Sequence, residues 1–583
     1  MTAVLVPLLA ALWVFSPSSF ATTSNGSGEI NALPIPVKYT TGSKAACLAD
    51  SFSIQFDSDV PADLSAASDR VLERIKKSQH TYLTTTSGTE FFPSLKCESE
   101  VTELRLSLSS DHSLSIFDLA IKPVEERKGL EDYTLTIPTS GAATATASTA
   151  LGLFRAITTF ENLVFKIDFS LPSSPGVAEG GDTAYLPFTP YHIDDAPAFH
   201  WRSILLDTSR HFFAKQSLFK LLDTMSAVKL NVFHWHITDS QSWPLALNEL
   251  PELAAKGAYT PRKTYSEQDV AEIIQFAGER GIDVVMEIDT PGHTTVIGNS
   301  HPDMIACNTH KPWTGWANEP PAGQLRFADP AVTAFTSRIF SAAIKLTKSA
   351  YFGTGGDELN EQCMDADQPT QRVLKANGWT LNDALKNFTA ETHGTLLSAK
   401  RTPMVWQEMV LAHGDLELDK NTIVDVWISS ADVGAVLDKG FRLVHASSDY
   451  FYLDCGQGGW ITENVGSNSW CDPFKAWTRM YSFNPYTNVT AVQRPLVLGG
   501  QASLWCEQTD ETNFETVMWP RAAAVAELWW SGGNADGTFP RSAVDALPRM
   551  HDMRYRLVEK GVRAEPLQPE WCAVHPGRCV LGG

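Results

Sequence analysis

The feature that most constrains the fold is a regular alternation of strand-like and helix-like segments that begins near residue 200. Eight apolar segments have the length and residue types of buried strands, and helical patterns lie between most of them. The strand candidates span residues 202–207, 230–238, 282–289, 351–358, 403–408, 423–427, 443–447 and 496–505. Eight β/α units over roughly 330 residues predict an α/β fold of the (β/α)8, or TIM barrel, type. An open doubly wound sheet is the alternative, but no phosphate-type glycine loop follows the first strand.

The chain has 583 residues, and those before and after this pattern divide into further units. Residues 22–190 mix strands and helices without a repeat, which predicts a smaller α+β domain ahead of the barrel domain at 195–535. Within the smaller domain we expect strands at 51–56, 101–108, 115–121 and 133–137, helices at 63–83 and 150–164, and a linker over 171–187. Residues 536–583 are expected to form a tail with a short helix and a cysteine clip.

Charge and composition exclude several classes of protein. Lys and Arg number 46 against 67 Asp and Glu, giving a net charge of −21, which is unfavourable for binding nucleic acid or an anionic membrane surface. With 43% hydrophobic residues the composition is that of a folded protein rather than a disordered one. The 17 Trp residues offer faces that suit sugar rings, although core packing accounts for most of them.

The N-terminus predicts secretion. Residues 3–15 form an apolar run that is too short to span a bilayer, and Ser19-x-Ala21 fits the small-residue rule for cleavage, so residues 1–21 are interpreted as a signal peptide. The n-region lacks Lys and Arg. A vacuolar or lysosomal destination stays open. Three Asn-x-Ser/Thr sequons, at Asn25, Asn387 and Asn488, are then candidate glycosylation sites.

Nine cysteines in a secreted chain predict disulfides and at least one free thiol. Connectivity does not follow from sequence, but chain order favours four pairs with Cys506 left over. These pairs are Cys47–Cys97, Cys307–Cys363, Cys455–Cys471 and Cys572–Cys579.

Polar and aromatic side chains collect where the predicted barrel strands end. In such a barrel the carboxyl ends of the strands form the active site. In strand order the candidates are Arg210, Asp239, His293, Asp357, Glu358, Trp406, Trp427, Tyr452, Asp454, Trp505 and Glu507. Carboxylates, indoles and one arginine suit a sugar pocket, because acids cleave glycosidic bonds and hold hydroxyls while indoles cover apolar ring faces.

Four motifs of this set resemble the signatures of family 20 glycoside hydrolases, the β-N-acetylhexosaminidases, in the style of the secreted fungal enzymes. The resemblance is strong over residues 200–530 and looser in the α+β domain. The motifs are Gly355-Gly356-Asp357-Glu358, His234-Trp-His-Ile-Thr-Asp239, Asp207-x-x-Arg210-His211 and Trp505-x-Glu507. The resemblance implies an exo-acting enzyme that removes terminal N-acetylglucosamine, or N-acetylgalactosamine, from chitooligosaccharides or glycoconjugates.

The carboxylate spacing agrees with the mechanism that the resemblance implies. A usual retaining glycosidase needs two carboxyl groups about 5 Å apart, but adjacent strand residues such as Asp357 and Glu358 point to opposite faces. In a substrate-assisted reaction the 2-acetamido oxygen attacks C1, Glu358 serves as acid and then base, and Asp357 accepts the acetamido N–H. Glu358 is therefore expected to start protonated, with a pKa raised by burial and by Asp357, which predicts an acidic pH optimum.

The resemblance also implies roles for the remaining candidates. Asp239 and His293 would form a relay behind Glu358, and Tyr452 would donate its hydroxyl to the acetamido oxygen. Trp406, Trp427 and Trp505 would wall the sugar. Arg210 would bind the 3- and 4-hydroxyls, and Asp454 and Glu507 the 4- and 6-hydroxyls.

Two alternatives carry different functions. A catalytically silent carbohydrate-binding protein would use the same pocket, and the retained Asp357, Glu358 and Tyr452 count against it. A His-x-His zinc site at His234 and His236 would make a metal-dependent hydrolase, but the later strands supply no obvious set of further His ligands, so both are interpreted as structural. No metal or organic cofactor is implied. The expected partner is a carbohydrate substrate, with no nucleic acid or membrane, and a homodimer stays open because the family often forms one.

Overall fold

The computed structural model describes residues 30–81, 99–109, 114–166, 183–461, 466, 468–534 and 537–581. The predicted signal peptide, the Asn25 sequon and Cys97, expected to pair with Cys47, lie outside these ranges. Residues 171–182 of the predicted linker also lie outside them. Among the described residues, no helix is both long enough and apolar enough to cross a membrane.

A smaller N-terminal domain contains one mixed six-stranded sheet with helices packed on it. Its strands are β1 (Lys38–Phe56), β2 (Glu100–Leu108), β3 (Tyr133–Ile137), β4 (Gly141–Ala147), β5 (Phe165–Lys166) and β6 (Ala184–Asp195), and its helices are α1 (Ala62–Lys77), α2 (Ile116–Ala120) and α3 (Ala150–Leu163). The sheet order is β1-β2-β4-β3-β6-β5, and β1 also pairs with β6. Every residue of α3 is buried.

The predicted barrel is confirmed, with eight parallel strands close to their predicted positions. They are β7 (Trp201–Asp207), β8 (Val232–Thr238), β9 (Asp283–Ile288), β12 (Tyr351–Gly355), β13 (Thr402–Trp406), β14 (Ile423–Val426), β15 (Arg442–His445) and β16 (Val497–Leu504). A short ribbon of β10 (Ile305–Ala306) and β11 (Gln324–Leu325) lies in the long connection between β9 and β12. β7, β8 and β9 are buried along their whole length on both faces, as strands of a parallel barrel covered by helices are.

Within the described residues, fifteen further α-helices connect or surround these strands. They are α4 (Lys215–Ala227), α5 (Pro251–Gly257), α6 (Glu267–Gly278), α7 (Pro330–Ala343), α8 (Glu361–Ala366), α9 (Gln368–Asn377), α10 (Leu381–Ser398), α11 (Glu408–Leu411), α12 (Val433–Asp438), α13 (Ser448–Phe451), α14 (Trp477–Tyr481), α15 (Phe514–Met518), α16 (Arg521–Ser531), α17 (Ala543–Glu559) and α18 (Glu570–Ala573). α6 begins at the predicted capping box, in which Ser266 and Asp269 each bond the other's backbone N–H.

Two sequence expectations for the smaller domain are wrong. Residues 115–121, predicted as a strand, form α2, because Ser115 and Asp118 make a capping box that fixes a helical turn. Residues 184–187 of the predicted linker belong to β6, which pairs with β1 and β3. Alternating burial along β6 carries the strand signal there, although Pro187 and Pro190 interrupt it in the sequence.

Three of the four expected cysteine pairs are present as disulfides: Cys307–Cys363, Cys455–Cys471 and Cys572–Cys579. Cys506 is free and buried. Burial and the nearby carboxylates Asp207 and Glu507 raise the pKa of its thiol well above the ordinary value, which keeps it protonated and unreactive.

The smaller domain closes the bottom of the barrel. Val124, in a turn between α2 and β3, is buried in one apolar cluster with side chains at the amino-terminal ends of the barrel strands, among them Trp201, Val232 and Tyr351. The Val124 N–H donates to the Tyr351 hydroxyl at 2.6 Å. Beside it, Arg127 forms an ion pair with Asp283 at 2.8 Å. The base of the barrel is therefore completed by a residue of the other domain.

A buried carboxylate joins the two domains at a second point. Glu131 of the smaller domain accepts from Arg155 Nε at 2.8 Å and from Arg202 Nη2, at the start of the barrel, at 2.7 and 2.9 Å. Burial alone would raise the pKa of Glu131, but the two guanidinium groups outweigh it and lower the pKa to about 2. One negative charge thus neutralises two buried cations from different domains.

Replacing Glu131 with Gln should destabilise the protein strongly. Glutamine keeps the shape but leaves two buried guanidinium groups without a counter-charge, which costs about 3–5 kcal/mol in comparable cases. Glu126→Gln is the matched control, because Glu126 pairs with Lys122 at the exposed surface and such pairs contribute at most about 1 kcal/mol. The midpoint of thermal unfolding checks this. Equal midpoints for the two variants would show that Glu131 does not hold the domains together.

Candidate active site

Two glycines turn the chain at the end of β12 and place Asp357 and Glu358 in the mouth of the barrel. Gly355 and Gly356 have φ of +66° and +98°, and Glu358 also has a positive φ of 55°. A Cβ on Gly355 would lie 1.7 Å from Asp289 Oδ1, and a Cβ on Gly356 would lie 2.4 Å from Met409 Cγ. The Gly356 N–H donates to Asp289 Oδ1 at 2.8 Å. Only glycine fits this turn, so the motif is required by packing as well as by backbone conformation.

A chain of buried acids and imidazoles leads to Glu358. His236 Nε2 lies 2.7 Å from Asp239 Oδ2, and Asp239 Oδ1 lies 3.0 Å from His293 Nδ1. His293 Nε2 lies 3.4 Å from Glu358 Oε2 and 3.6 Å from Asp357 Oδ2. The structure therefore brings together the two residues expected to form a relay, Asp239 and His293, and places His293 beside both catalytic candidates.

The charge state of this chain is opposite to the one expected from sequence. Burial alone would lower the pKa of His293, but Asp239 and Asp357 raise it well above its ordinary value, so the imidazole is a cation. Burial would raise the pKa of Glu358, but polar contact with His293 and its charge, together with Asn318 and Arg210, lowers it. The expectation that burial and Asp357 raise the pKa of Glu358 is therefore wrong, because the neighbouring cation has the larger effect.

The proton expected on Glu358 resides next to it. Burial and the neighbouring Asp289 raise the pKa of Asp357 well above its ordinary value, against a smaller opposing effect of His293. Burial also raises the pKa of Asp289, which is coupled to the same group. Two carboxyl groups this close do not both ionise readily, so they share one proton. The catalytic candidates together thus hold one proton and one negative charge.

Arg210 lies among four carboxylates. Its Nη1 is 2.8 Å from Asp239 and 3.3 Å from Asp207, its Nε donates to Glu319 at 3.0 Å, and its Nη2 also contacts Glu319. Arg210 is 8% exposed, and its charge acts on Glu507 as well. These contacts use most of its five N–H donors. The second contact of Nη2 is a long one, 3.5 Å to His293 Nδ1, so Nη2 is the group best placed to donate to a sugar hydroxyl.

The aromatic candidates form one continuous wall. The ring centres of Trp406 and Trp505 are 5.9 Å apart, those of Tyr452 and Trp505 6.3 Å, and those of Trp427 and Tyr452 6.2 Å with nearly parallel planes. Trp427 is fixed because its indole N–H donates to Glu408 at 2.8 Å. Burial raises the pKa of Glu408 to about 7.

Asp454 and Glu507 lie beside this wall, and the pKa of each is raised, which favours the protonated form at acidic pH. Burial raises the pKa of Asp454 to about 7, and burial also raises the pKa of Glu507 well above its ordinary value despite the charge of Arg210. A protonated carboxyl group both donates and accepts, as does a sugar hydroxyl. Tyr452 is buried next to them, and burial raises its pKa well above 10, so its hydroxyl stays a donor.

Several polar atoms of the site are buried with no hydrogen-bond partner among the described residues. They are Asp357 Oδ1, His293 Nε2, Asp454 Oδ1 and Trp406 Nε1. Buried polar atoms are almost always paired in folded proteins, so a cluster of unpaired ones marks a place where another molecule supplies the partners. These four atoms lie at the ends of four different barrel strands.

The histidines of the His-x-His motif are fully engaged by protein groups. His234 lies 2.9 Å from Gln501 and 2.8 Å from Glu287, and His236 lies 2.7 Å from both Glu287 and Asp239. Among the described residues, three triads have metal-ligand composition. In Asp454–Cys455–Cys471 the two cysteines form a disulfide, and the other two triads, Asp239–His293–Glu319 and Asp289–His293–Asp357, share His293. Both of these triads already have a positive charge that compensates their carboxylates. In the first, Arg210 binds Asp239 and Glu319. In the second, Asp357 and Asp289 share a proton.

Sequence reasoning missed four residues at this site. Asn318 and Glu319 come from the connection between β9 and β12, where no pattern indicates which side chains return to the barrel mouth. Glu408 follows Trp406 by two residues, and its place at a strand end was an available signal. Trp470 is 65% exposed and packs edge-on against Trp427 and Tyr452, with ring centres 5.5 and 5.9 Å away.

Two disulfides hold the loops that carry these groups. Cys455–Cys471 joins the segment after Asp454 to the segment after Trp470. Cys307–Cys363 joins the long connection that carries Glu319 to helix α8, which begins three residues after Glu358. The Cys363 pair thus connects the acid to the loop that contacts Arg210.

Carboxyl groups, a buried arginine and an aromatic wall at the carboxyl ends of barrel strands define a glycoside hydrolase. The family model described as glycosyl hydrolase family 20, catalytic domain, matches residues 199–533, and the one described as beta-acetyl hexosaminidase like matches residues 32–163. The chain therefore belongs to glycosyl hydrolase family 20, the β-N-acetylhexosaminidases.

Characterised relatives agree with this membership. The chain is 33% identical over 475 residues to a beta-hexosaminidase of Arthroderma benhamiae, covering 78% of this chain and 74% of the relative. It is 37% identical over 404 residues to a chitooligosaccharidolytic beta-N-acetylglucosaminidase of Bombyx mori, covering 66% and 65%. A family 20 exo-beta-N-acetylglucosaminidase from Vibrio harveyi has the same fold, with a TM-score of 0.71 at 20% identity over 96% of this chain and 81% of that one.

Gly355→Ala should abolish most of the activity, because the new Cβ would displace Asp289 and with it the turn that carries Asp357 and Glu358. Displacements of about 1 Å at a catalytic group can cost 10²-fold in rate. Gly378→Ala is the matched control, since Gly378 has the same φ of +66° with no atom within 4 Å of the added Cβ. Rates of aryl glycoside hydrolysis check this. A Gly355 variant as active as the Gly378 variant would show that the close contact with Asp289 does not position the site.

Proposed function

We propose that the protein is an exo-acting β-N-acetylhexosaminidase that cleaves terminal N-acetylhexosamine by a retaining, substrate-assisted reaction. The observation that carries the proposal is Asp357 Oδ1, a buried oxygen beside Glu358 and His293 to which no N–H or O–H group of the described residues donates, and which becomes an acceptor once the proton shared with Asp289 leaves Asp357. An acetamido N–H is a donor of the kind that this atom lacks. Chitooligosaccharides are the proposed substrates, because relatives in Bombyx mori and Ostrinia furnacalis are named chitooligosaccharidolytic.

The bond changes follow from these positions. The acetamido carbonyl oxygen attacks C1 and forms a cyclic oxazolinium ion while the bond from C1 to the leaving oxygen breaks, and Glu358 gives its proton to that oxygen. Asp357 accepts the N–H and stabilises the positive charge on the ring, and the Tyr452 hydroxyl orients the carbonyl. Water then attacks C1 and Glu358 takes its proton, while the bond from C1 to the acetamido oxygen breaks and the acetamido group is restored. Two inversions at C1 retain the anomeric configuration.

Substrate binding would move the shared proton to where the reaction needs it. Catalysis requires a proton on Glu358 and a negative charge on Asp357. The two residues already hold one proton between them, so this proton only has to move from Asp357 to Glu358. His293 Nε2 lies within 3.6 Å of both carboxyl groups and is placed to pass the proton between them. The acetamido group favours this transfer, because its N–H stabilises the charged form of Asp357.

The pocket accommodates a single terminal sugar. Trp406, Trp427 and Trp505 would surround the acetyl group and one ring face, and Asp454 and Glu507 would bind hydroxyls at the far end. Arg210 would donate from Nη2 to sugar hydroxyls, and Glu319 would accept hydrogen bonds from the same hydroxyls. Closure of the pocket behind the sugar favours exo cleavage. The preference between the gluco and galacto epimers depends on how these groups hold the 4-hydroxyl.

Secretion and glycosylation belong to the same proposal. Asn387 and Asn488 are exposed, as acceptor asparagines must be, and the three disulfides are suited to an oxidising compartment.

Aryl β-N-acetylglucosaminide should be cleaved rapidly and the matching aryl β-glucoside hardly at all, since the second lacks the attacking acetamido group. Glu358→Gln should reduce kcat on chitobiose by about 10²–10⁴-fold, as is usual for loss of a general acid, and by less on an aryl glycoside whose leaving group needs no proton. Glu361→Gln, at an exposed glutamate three residues later, is the control. Equal cleavage of both aryl substrates would refute substrate assistance, and cleavage of neither would favour a silent binding protein.

The pH profile of kcat/KM should be bell-shaped, and its acid limb should depend on His293. At low pH a second proton binds to Glu358, whose pKa is lowered. Asp357 can then no longer pass its own proton to Glu358, so it cannot become the anion that accepts the acetamido N–H. At high pH the shared proton, held by the raised pKa of Asp357, is lost together with the acid. His293→Asn removes the cation that lowers the pKa of Glu358, and asparagine tolerates the φ of 52° at this position. The acid limb should therefore move to higher pH. An unchanged limb with a lower plateau would mean that His293 only supports the fold.

A further inference from the structure

A second cavity lies between the two domains and shares no residue with the site at the barrel mouth. It has a volume of about 450 Å³, within the range of small-molecule sites. Helices α1 and α3 of the smaller domain form one side, and α4, Arg280 and the end of α17 form the other. Nothing in the hydrolytic mechanism uses it.

The lining of this cavity is cationic in a chain that is otherwise strongly acidic. Eight Lys and Arg side chains line it against four Asp and Glu, while the whole chain carries −21. The excess is therefore local, since the field of the whole protein has the opposite sign.

Most of the cations that line the cavity already have a carboxylate partner: Lys77 pairs with Glu73, Lys220 with Glu515 and Arg556 with Asp552. Glu161 binds Arg74 through both oxygens at 2.8 and 2.7 Å and also binds Lys560 at 2.9 Å. Asp223 pairs with Arg280 at 2.5 Å. Two carboxylates thus serve three cations before Arg70 is considered.

Arg70 is the unpaired cation. Among the described residues no carboxylate lies within ion-pair distance of it, and its Nη2 makes a weak hydrogen bond to the Glu279 carbonyl at 3.4 Å. Burial lowers the pKa of Arg70, and the charges of Arg280 and Arg74 lower it further. A guanidinium group with five donors, held close to other cations, has donors and charge available for a ligand.

We propose that this cavity binds a phosphate-type anion, either free phosphate or the phosphate of a small ester, held by Arg70 together with Arg74 and Arg280. Planar guanidinium forks match the oxygen spacing of phosphate, and several of them around one cavity neutralise a doubly charged group. Because Arg70 and Arg74 belong to the smaller domain and Arg280 to the barrel, the anion bridges the two domains and stabilises their junction.

Thermal unfolding and calorimetric titration with inorganic phosphate test the proposal. Ionic strength is held constant with sodium chloride, because excluded anions stabilise proteins generally and salt screens surface charge. The variant is Arg70→Met, which keeps the aliphatic stem, and the matched control is Arg338→Met at an exposed arginine of α7. Activity on an aryl N-acetylglucosaminide, which should match the wild type in both variants, shows that each is folded.

The wild type and the Arg338 variant should show saturable binding and a rise in the unfolding midpoint at millimolar phosphate. Loss of a charge-assisted contact should weaken binding about tenfold or more in the Arg70 variant. A sugar phosphate that binds more tightly than phosphate would identify an ester as the ligand, whereas equal affinity would identify the free anion. A shift that does not saturate, or one that is the same in the Arg70 variant, would overturn the proposal.

Discussion

Arg210 is the charge on which the mouth of the barrel depends. Asp207, Asp239 and Glu319 all contact its guanidinium group, and Glu507 lies within its field. Buried carboxylates repel one another strongly unless a cation or a proton separates them. Arg210 satisfies the carboxylates on its side of the mouth, and His293 satisfies those on the other. Where burial outweighs the nearest cation, at Asp357 with Asp289 and at Asp454, a proton takes the place of a full counter-charge.

The positions of Arg210 and His293 explain why carboxyl groups of the same residue type have different pKa values within one pocket. Asp239 has a pKa well below its ordinary value, since Arg210 and His293 outweigh the effect of its burial. Asp454 and Glu408 are raised to about 7 because burial dominates. Position relative to two cations thus sorts the carboxyl groups into permanent anions and proton carriers, and residue type alone does not distinguish them.

The barrel and much of its mouth could be predicted from the sequence, because both depend on patterns that are local along the chain. Strand periodicity locates all eight strands, and the strand-end rule finds residues such as Asp357 and Tyr452. Glu319 and Trp470 escape prediction because they arrive on long connections whose path depends on packing. The pKa of Glu358 escapes it because the cation that decides it comes from another strand. At 115–121 the signal was local and available, since Ser115 and Asp118 form the capping box that makes the segment helical.

Val124 makes the smaller domain a structural part of the barrel. Its side chain completes the apolar layer at the foot of the barrel, and its N–H satisfies the hydroxyl of Tyr351, the first residue of the strand that ends at the catalytic pair. The same strand is thus anchored by one domain at its base and leads to the candidate catalytic residues at its top. A chimera that transplants the barrel alone would carry an open socket beneath this strand, so the two domains have to be exchanged together in protein engineering.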